Sequence, residues 1–386
     1  MELNVGYIFW AMIVPLFPLL YIWFRVVLPH KNMKPIYRQL CYLTLIFFEI
    51  KPLFFLLIEG ERSTSHLSPF FIEFSGIVFF ALVIFAFLLL VRDILILLLK
   101  NFSAKPLDFS LGQKFLIASF ITAFALSCYG THNAHLLPIV TEYTVESKHL
   151  PSSFDGLKIA YIADIHAWHG RGRSFVQSVV DITNEQKCQL VLLGGDYLDA
   201  SVEDMGDTLL PLKDLHSKYG TFAVPGNHEY YFNYTAWKKF FEEKLNIPVL
   251  INQHKFIEGQ NGQIIFITGI PDKFAKKIDE EVPDIKRAMP VFGYHVFNIL
   301  LSHRPDNARE NNRLGIDLQL SGHTHGGFLP VLSKIVGLFN NGFEVGQYKL
   351  SNMTLIVSRG TGYAQGLPTR ILNPAEIVVV TLRCKK

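Results

Sequence analysis

Five apolar runs in the second half of the chain each stop at residues able to bind a metal ion. LKIAYIAD (157–164) runs on into Ile165 and His166. LVLLGGD (190–196) ends at Asp196. TFAVPGNHE (221–229) ends in Asn227, His228 and Glu229. FNILLSHRPD (297–306) carries His303, and LQLSGHTH (318–325) closes on His323 and His325. Short apolar runs bounded by Gly, Asp and Asn read as strands buried on both faces. Between them lie stretches with helical spacing, such as SFVQSVVDITNEQK (174–187) and AWKKFFEEKLN (236–246). Strands alternating with helices predict an α/β domain. Ligands of such sheets bind at the carboxyl ends of strands, so donors at five strand ends predict one shared site.

The donors Asp164, His166, Asp196, Asn227, His303, His323 and His325 are oxygens and imidazoles, with no thiolate. That mix suits Mn, Fe, Co or Zn better than Ca or Mg. A tetrahedral zinc takes four ligands, so this set implies two ions with a carboxylate between them. Such pairs clamp the attacking and leaving oxygens of a displacement at phosphorus. Taken singly, each residue has a blander reading. An Asp after Gly commonly turns the chain or caps a helix, and a lone His commonly makes only a hydrogen bond. The ordered series D-x-H, G-D, G-N-H, H, G-H-x-H outweighs those readings.

The first 130 residues are different. The chain of 386 residues is only 18% charged and holds 33 Phe, against the roughly 25% charged residues usual for soluble domains. Apolar segments over about 5–28, 42–58, 70–91 and 115–129 predict a bundle of four transmembrane helices (domain 1–130). The second is interrupted by Glu49, Lys51 and Pro52. Lys31, Lys34 and Arg38 mark the first loop and Lys100, Lys105 and Lys114 the third, so both are expected in the cytoplasm. Four crossings then place the second half outside it, in a multi-pass protein of the cell membrane. Residues 131–156 read as a linker and 157–386 as the α/β domain. Acidic and basic residues balance in this half, and the formal net charge is only +3, so no nucleic-acid partner is expected. The four cysteines form no CxxC pair and suggest neither a zinc ribbon nor a disulfide framework.

The ordered blocks Asp164-Ile165-His166, Gly195-Asp196, Gly226-Asn227-His228-Glu229, His303 and Gly322-His323-Thr324-His325 resemble the calcineurin-like metallophosphoesterase family over about residues 155–383. The four-helix prefix is similar, more loosely, to a membrane-bound bacterial branch of it. The resemblance implies a two-sheet β-sandwich flanked by helices. It implies that Asp164, His166 and His325 bind one divalent ion and that Asn227, His303 and His323 bind the other. Asp196 would bridge them, and His228 would be the general acid. It places Asp199 and Glu229 beside the site, where they would orient a ligand or His228. Arg171 and Arg304 are candidates for holding a phosphate oxygen.

The expected activity is hydrolysis of a phosphodiester, phosphomonoester or pyrophosphate by metal-bound hydroxide. With the bilayer as a partner, a lipid-linked or cell-envelope substrate is expected. The alternative is a tethered metal-binding sensor or scaffold without turnover. A transporter with an accessory outer domain is favoured only by the Glu49/Lys51 pair.

Overall fold

The computed structural model describes residues 15–29, 34–59, 68–99, 112–290, 296–364 and 367–385. It divides into two compact units, Met1–His132 and Asn133–Lys386.

The first unit is helical. Its described helices are α1 (Pro15–Val27), α2 (Pro35–Glu59), α3 (Pro69–Leu99) and α4 (Gln113–His135). Two of them, α3 and α4, are long and apolar enough to cross a membrane. These are two of the four expected spans. α1 is apolar but short in its described part, and residues 5–14 of the expected first segment lie outside the described residues. α2 covers 42–58 in a single helix, but Glu49, Lys51 and Pro52 fall in its length and dilute its apolar character. The Glu49 and Lys51 side chains lie outside what is described. Phe70, Leu98 and Ile121 are each more than 60% exposed on α3 and α4, a surface suited to lipid rather than water. Asp93 of α3 accepts from Arg25 of α1 at 2.6 Å and from the Tyr21 hydroxyl at 2.7 Å.

The second unit holds two mixed sheets. One has the order β1 (Ile139–Ser147), β11 (Glu376–Cys384), β2 (Lys158–Ile162), β3 (Leu190–Leu193) and β4 (Thr221–Ala223). The other has the order β5 (Gln253–Glu258), β6 (Ile264–Gly269), β7 (Asn298–Leu301), β8 (Leu318–Ser321), β10 (Met353–Val357) and β9 (Gly346–Leu350). The expected linker 131–156 therefore contains a strand, β1, paired in parallel with β11.

Alternation along each strand builds the layers. Ile159 and Tyr161 of β2 and Leu190 and Leu192 of β3 pack against Ile265, Ile267, Ile299, Leu301, Leu318 and Leu320 of the second sheet. Ala160, Ile162, Val191 and Leu193 face the other way, onto Phe175, Val176, Val179 and Val180 of α5 (Arg173–Glu185). Leu300, Leu355 and Val357 cover the outer side of the second sheet with Ala308 and Phe343. The result is helix, sheet, sheet, helix. Strands β2, β3 and β4 run parallel to one another, as do β7 and β8. Their carboxyl ends carry the donors.

Candidate metal centre

Each strand releases its donors within a few residues of its end. Asp164 and His166 follow β2, Asp196 follows β3, Asn227 and His228 follow β4, His303 follows β7, and His323 and His325 follow β8. Five of these residues have a left-handed backbone: Asp164 (φ 55°), His166 (φ 46°), Asp196 (φ 57°), His323 (φ 69°) and His325 (φ 49°). Non-glycine residues rarely adopt that conformation, and strain of this kind concentrates at functional sites. Glycine supplies the clearance. A Cβ at Gly226 would overlap Asp196 Oδ1, and one at Gly322 would overlap Asp164 Oδ2.

Among the described residues the donors converge in two groups, joined by a third made of His166, Asp196 and His228. Asp164, His166 and His325 offer atoms within 4.8 Å of one another, and so do Asp196, His303 and His323. His166 and His325 turn their Nε2 atoms towards each other at 3.0 Å. The same two atoms stand 4.0 and 3.7 Å from Asp164 Oδ1. Asp196 Oδ2 lies between the groups, 3.7 Å from His166 Nε2 and 3.2 Å from His303 Nε2. His303 donates its Nδ1–H to the Gly194 carbonyl at 2.8 Å, which turns its Nε2 lone pair inward. Lone pairs and carboxylates facing one another in a buried space need a proton or a cation between them. The donor set thus fits two divalent ions of the kind that take nitrogen and oxygen ligands.

The electrostatics agree. Burial pushes the Asp164 carboxyl up. Burial opposes ionisation of Asp196 too, but His303 and His228 outweigh it and hold that carboxyl well below the usual range. Burial works against the charged form of His303, yet Asp196 outweighs it and raises the imidazole to about 10. His323 and His325 are pushed well below the ordinary histidine value, first by burial and then by Arg304 and His166 respectively.

A second layer of contacts fixes the donors. One oxygen of Asp199 accepts from His166 Nδ1 at 2.7 Å and forms an ion pair with His228, 2.6 Å from its Nδ1. His228 is partly exposed, with its Nε2 3.9 Å from Asp196 Oδ2. Burial would lower its pKa, but Asp196 and Asp199 raise it to about 9. Glu229 accepts three backbone amides, from Gly226 at 2.7 Å, Tyr197 at 2.8 Å and Asp196 at 2.9 Å. It thereby ties the β3 turn to the β4 turn.

Arg304 donates to His323 Nε2 at 2.6 Å and to Asn227 Oδ1 at 3.0 Å. Its Nε–H is anchored on buried Asp272 at 2.6 Å. The sequence reading missed Asp272. Arg171 differs from expectation. Its buried guanidinium donates to the Ala134 carbonyl at 2.8 Å and lies 3.7 Å from the Phe175 ring centre and 4.8 Å from that of Tyr363. Rings and carbonyls take up the group that was expected to hold a phosphate oxygen.

The turn after β10 also reaches the centre. Gly360 abuts Asp164 and His325, and Asn373 donates to the His325 carbonyl at 2.6 Å. Buried Arg370 donates to the carbonyls of Arg359, Gly360 and Gly362 and holds this turn closed.

Comparison with known proteins gives a consistent picture. A family model described as calcineurin-like phosphoesterase matches residues 157–327. An uncharacterized metallophosphoesterase of Helicobacter pylori is 38% identical over 228 residues, which are 58% of this chain and 60% of that protein. The chain thus spans less than two thirds of that relative's length. An uncharacterized metallophosphoesterase of Bacillus subtilis is 30% identical over 63% of this chain and 85% of its own length. A transmembrane protein with metallophosphoesterase domain from Danio rerio is 32% identical over 69% of this chain and 62% of its own.

Proposed function

This chain belongs to the calcineurin-like metallophosphoesterase family, and from that premise we propose that it is a membrane-anchored hydrolase of phosphoric esters or pyrophosphates. The observation that carries the reading is the convergence of Asp164, His166 and His325 beside Asp196, His303 and His323. In this reading the first three hold one divalent ion. Asn227, His303 and His323 hold the other, and Asp196 lies between them. Bound ions of this kind lower the pKa of water and neutralise charge on a phosphoryl group.

The chain's own residues do the rest. His228, raised to about 9, carries a proton at neutral pH and gives it to the leaving oxygen. Asp199 holds that imidazole and His166 in place through one shared oxygen. Arg304, gripped by Asp272, presents its guanidinium beside Asn227 and His323, where a phosphate oxygen would accept from it. Glu229 sets the backbone from which Asp196 and Asn227 project.

We place the domain outside the cytoplasm, with four crossings before it, on the strength of the basic first and third loops. A lipid-linked or cell-envelope phosphate is the substrate class this placement favours. A reporter fused after Lys386 tests the side of the membrane.

The enzyme reading is tested on the purified full chain loaded with Mn²⁺. The substrates are bis-p-nitrophenyl phosphate, p-nitrophenyl phosphate and lipid pyrophosphates, with Asp196→Ala as control. Metal-dependent turnover that the control lacks is the expected result. Absence of turnover on every substrate would leave the tethered sensor or scaffold as the better reading.

A further inference from the structure

The helix Pro330–Phe339 starts just beyond His325 and turns apolar side chains outward. Ile335, Leu338 and Phe339 are 47%, 78% and 71% exposed. Their spacing of three and four residues puts them on one face. The opposite face is the packed one: Ser333 and Asn340 are buried, and Ser333 donates to Glu344.

A second apolar projection lies beside the start of this helix. Leu372 is 79% exposed, and its backbone is left-handed, with φ 53°. That conformation is costly for a leucine, so the turn holds this side chain outward against a local preference. The turn is pinned next to the helix, because Ile371 donates to the Phe328 carbonyl at 3.1 Å. Both projections connect to the metal centre through short links. Phe328 stacks on the His325 ring with centroids 5.4 Å apart, and Asn373 holds the His325 carbonyl.

We propose that the Pro330–Phe339 helix and the Leu372 turn form a bilayer-docking face that seats the rim of the metal centre among lipid headgroups. Three features select a lipid surface as the occupant. The same chain carries α3 and α4, both long and apolar enough to span a membrane. Only Leu136, Leu137 and Pro138 separate the end of α4 from the start of β1, so the second unit stays within a few residues' reach of any membrane that α4 enters. The helix itself holds no acidic residue, and its one cation, Lys334, is paired with Glu344, so the outward face is apolar without net charge, which suits burial at a bilayer interface. The inference deepens the proposed function, since such a face would bring the site to phosphates carried in headgroups.

The test uses the full chain in phospholipid vesicles, with its four native cysteines replaced by Ser and a nitroxide attached at Leu338→Cys. Collision of the nitroxide with oxygen in excess of collision with a water-soluble nickel chelate is the expected result. Access governed by the nickel chelate would overturn the docking face. So would dipolar broadening between labels on neighbouring copies, which would mean that a second chain covers the face.

A second arm measures turnover of the double variant Leu338→Ser, Phe339→Ser. The KM for a headgroup phosphate in vesicles should rise about tenfold or more, with bis-p-nitrophenyl phosphate hydrolysis unchanged. Equal loss on both substrates would count against docking. A nitroxide in lipid on a chain that turns over nothing would sustain the docking face and sink the enzyme reading, so the two failures are distinguishable.

Discussion

The two halves of the metal centre are built differently. Around Asp164, His166 and His325 the surroundings are closed. Gly360 abuts two of the three, Phe328 stacks on His325, and Asn373 grips its carbonyl. Around Asn227, His303 and His323 the wall includes a cation, Arg304, whose side chain is 19% exposed and touches two of the donors. His228, also partly exposed, stands where the halves meet at Asp196. The closed half is framework. In the reading proposed above, the half with Arg304 and His228 is the one where a phosphate enters, is held and loses its leaving group. Substitutions in the shared carboxylate, at the junction, in the open wall and in the scaffold should therefore fail in different ways.

The largest effect belongs to Asp196. Its Oδ2 is within 4 Å of His166 and His303 alike, so Asp196→Ala should disable both halves. Activity of the Mn²⁺-loaded chain should fall at least about 10³-fold, as losing several kcal/mol of charge stabilisation implies. Metal content, read by atomic absorption on the same sample, should drop with it. Activity near that of the unaltered chain would show that the two halves do not share this carboxylate.

His228 comes next and separates proton transfer from metal holding. His228→Asn should lower kcat about 10²–10⁴-fold, the usual contribution of a positioned acid, while metal content stays. The pH profile carries a sign. The acid form is the active one, so activity should fall as pH rises through the His228 pKa. Asp196 and Asp199 hold that value up, to about 9. Asp199→Asn removes one of the two charges, lowers the pKa, and should move the alkaline limb to lower pH. A limb that stays put in Asp199→Asn would detach Asp199 from the acid.

Much of this centre was legible in the sequence, for a physical reason. Donors that must converge have to leave rigid strands abruptly, and glycines beside carboxylates make room for that. Asp196 after Gly195 and His323 after Gly322 show the pattern on the page. The left-handed backbone at Asp164, His166 and His325 was not legible, since no glycine stands at those positions to signal it. Asp272 was invisible because it serves Arg304 from the end of another strand, 32 residues away. β1 was read as linker because IVTEYTVES is an edge strand with one buried residue, Val145, so it lacks the continuous apolar run of β2 and β3. Its partner, β11, lies at the other end of the unit. Arg171 was expected to hold a phosphate oxygen because Phe175 and Tyr363, which enclose it, come together only in the fold.

The open wall gives a smaller, graded effect. Arg304→Ala should raise KM about 10–100-fold with a lesser change in kcat, since a charged hydrogen bond to an oxygen anion is worth about 1.5–3 kcal/mol. Arg304→Lys should recover little, because the fork that spans Asp272, Asn227 and His323 cannot be made by one ammonium. Asp272→Asn should fall between the unaltered chain and Arg304→Ala. Steady-state kinetics on bis-p-nitrophenyl phosphate would check all three, and a full rescue by Lys would reduce Arg304 to a point charge.

The smallest effect should appear in the scaffold, and in stability before activity. Glu229 touches no side-chain donor atom, yet its two oxygens accept amides from both turns that carry the donors. Burial, and then the neighbouring Asp196, raise its pKa to about 7. Replacing it by Gln keeps the shape but turns one acceptor into an N–H facing another N–H. The cost of that buried mismatch is about 1–3 kcal/mol. For a unit of this size it lowers the melting temperature by about 2–4 °C per kcal/mol. Because its folded-state pKa is raised from 4.5 to about 7, protonation of Glu229 stabilises the fold, and the gap between Glu229→Gln and the unaltered chain should widen as pH falls below about 7. A constant gap from pH 5 to pH 8 in differential scanning calorimetry would mean that the carboxylate charge contributes nothing, and that the clamp works by shape alone.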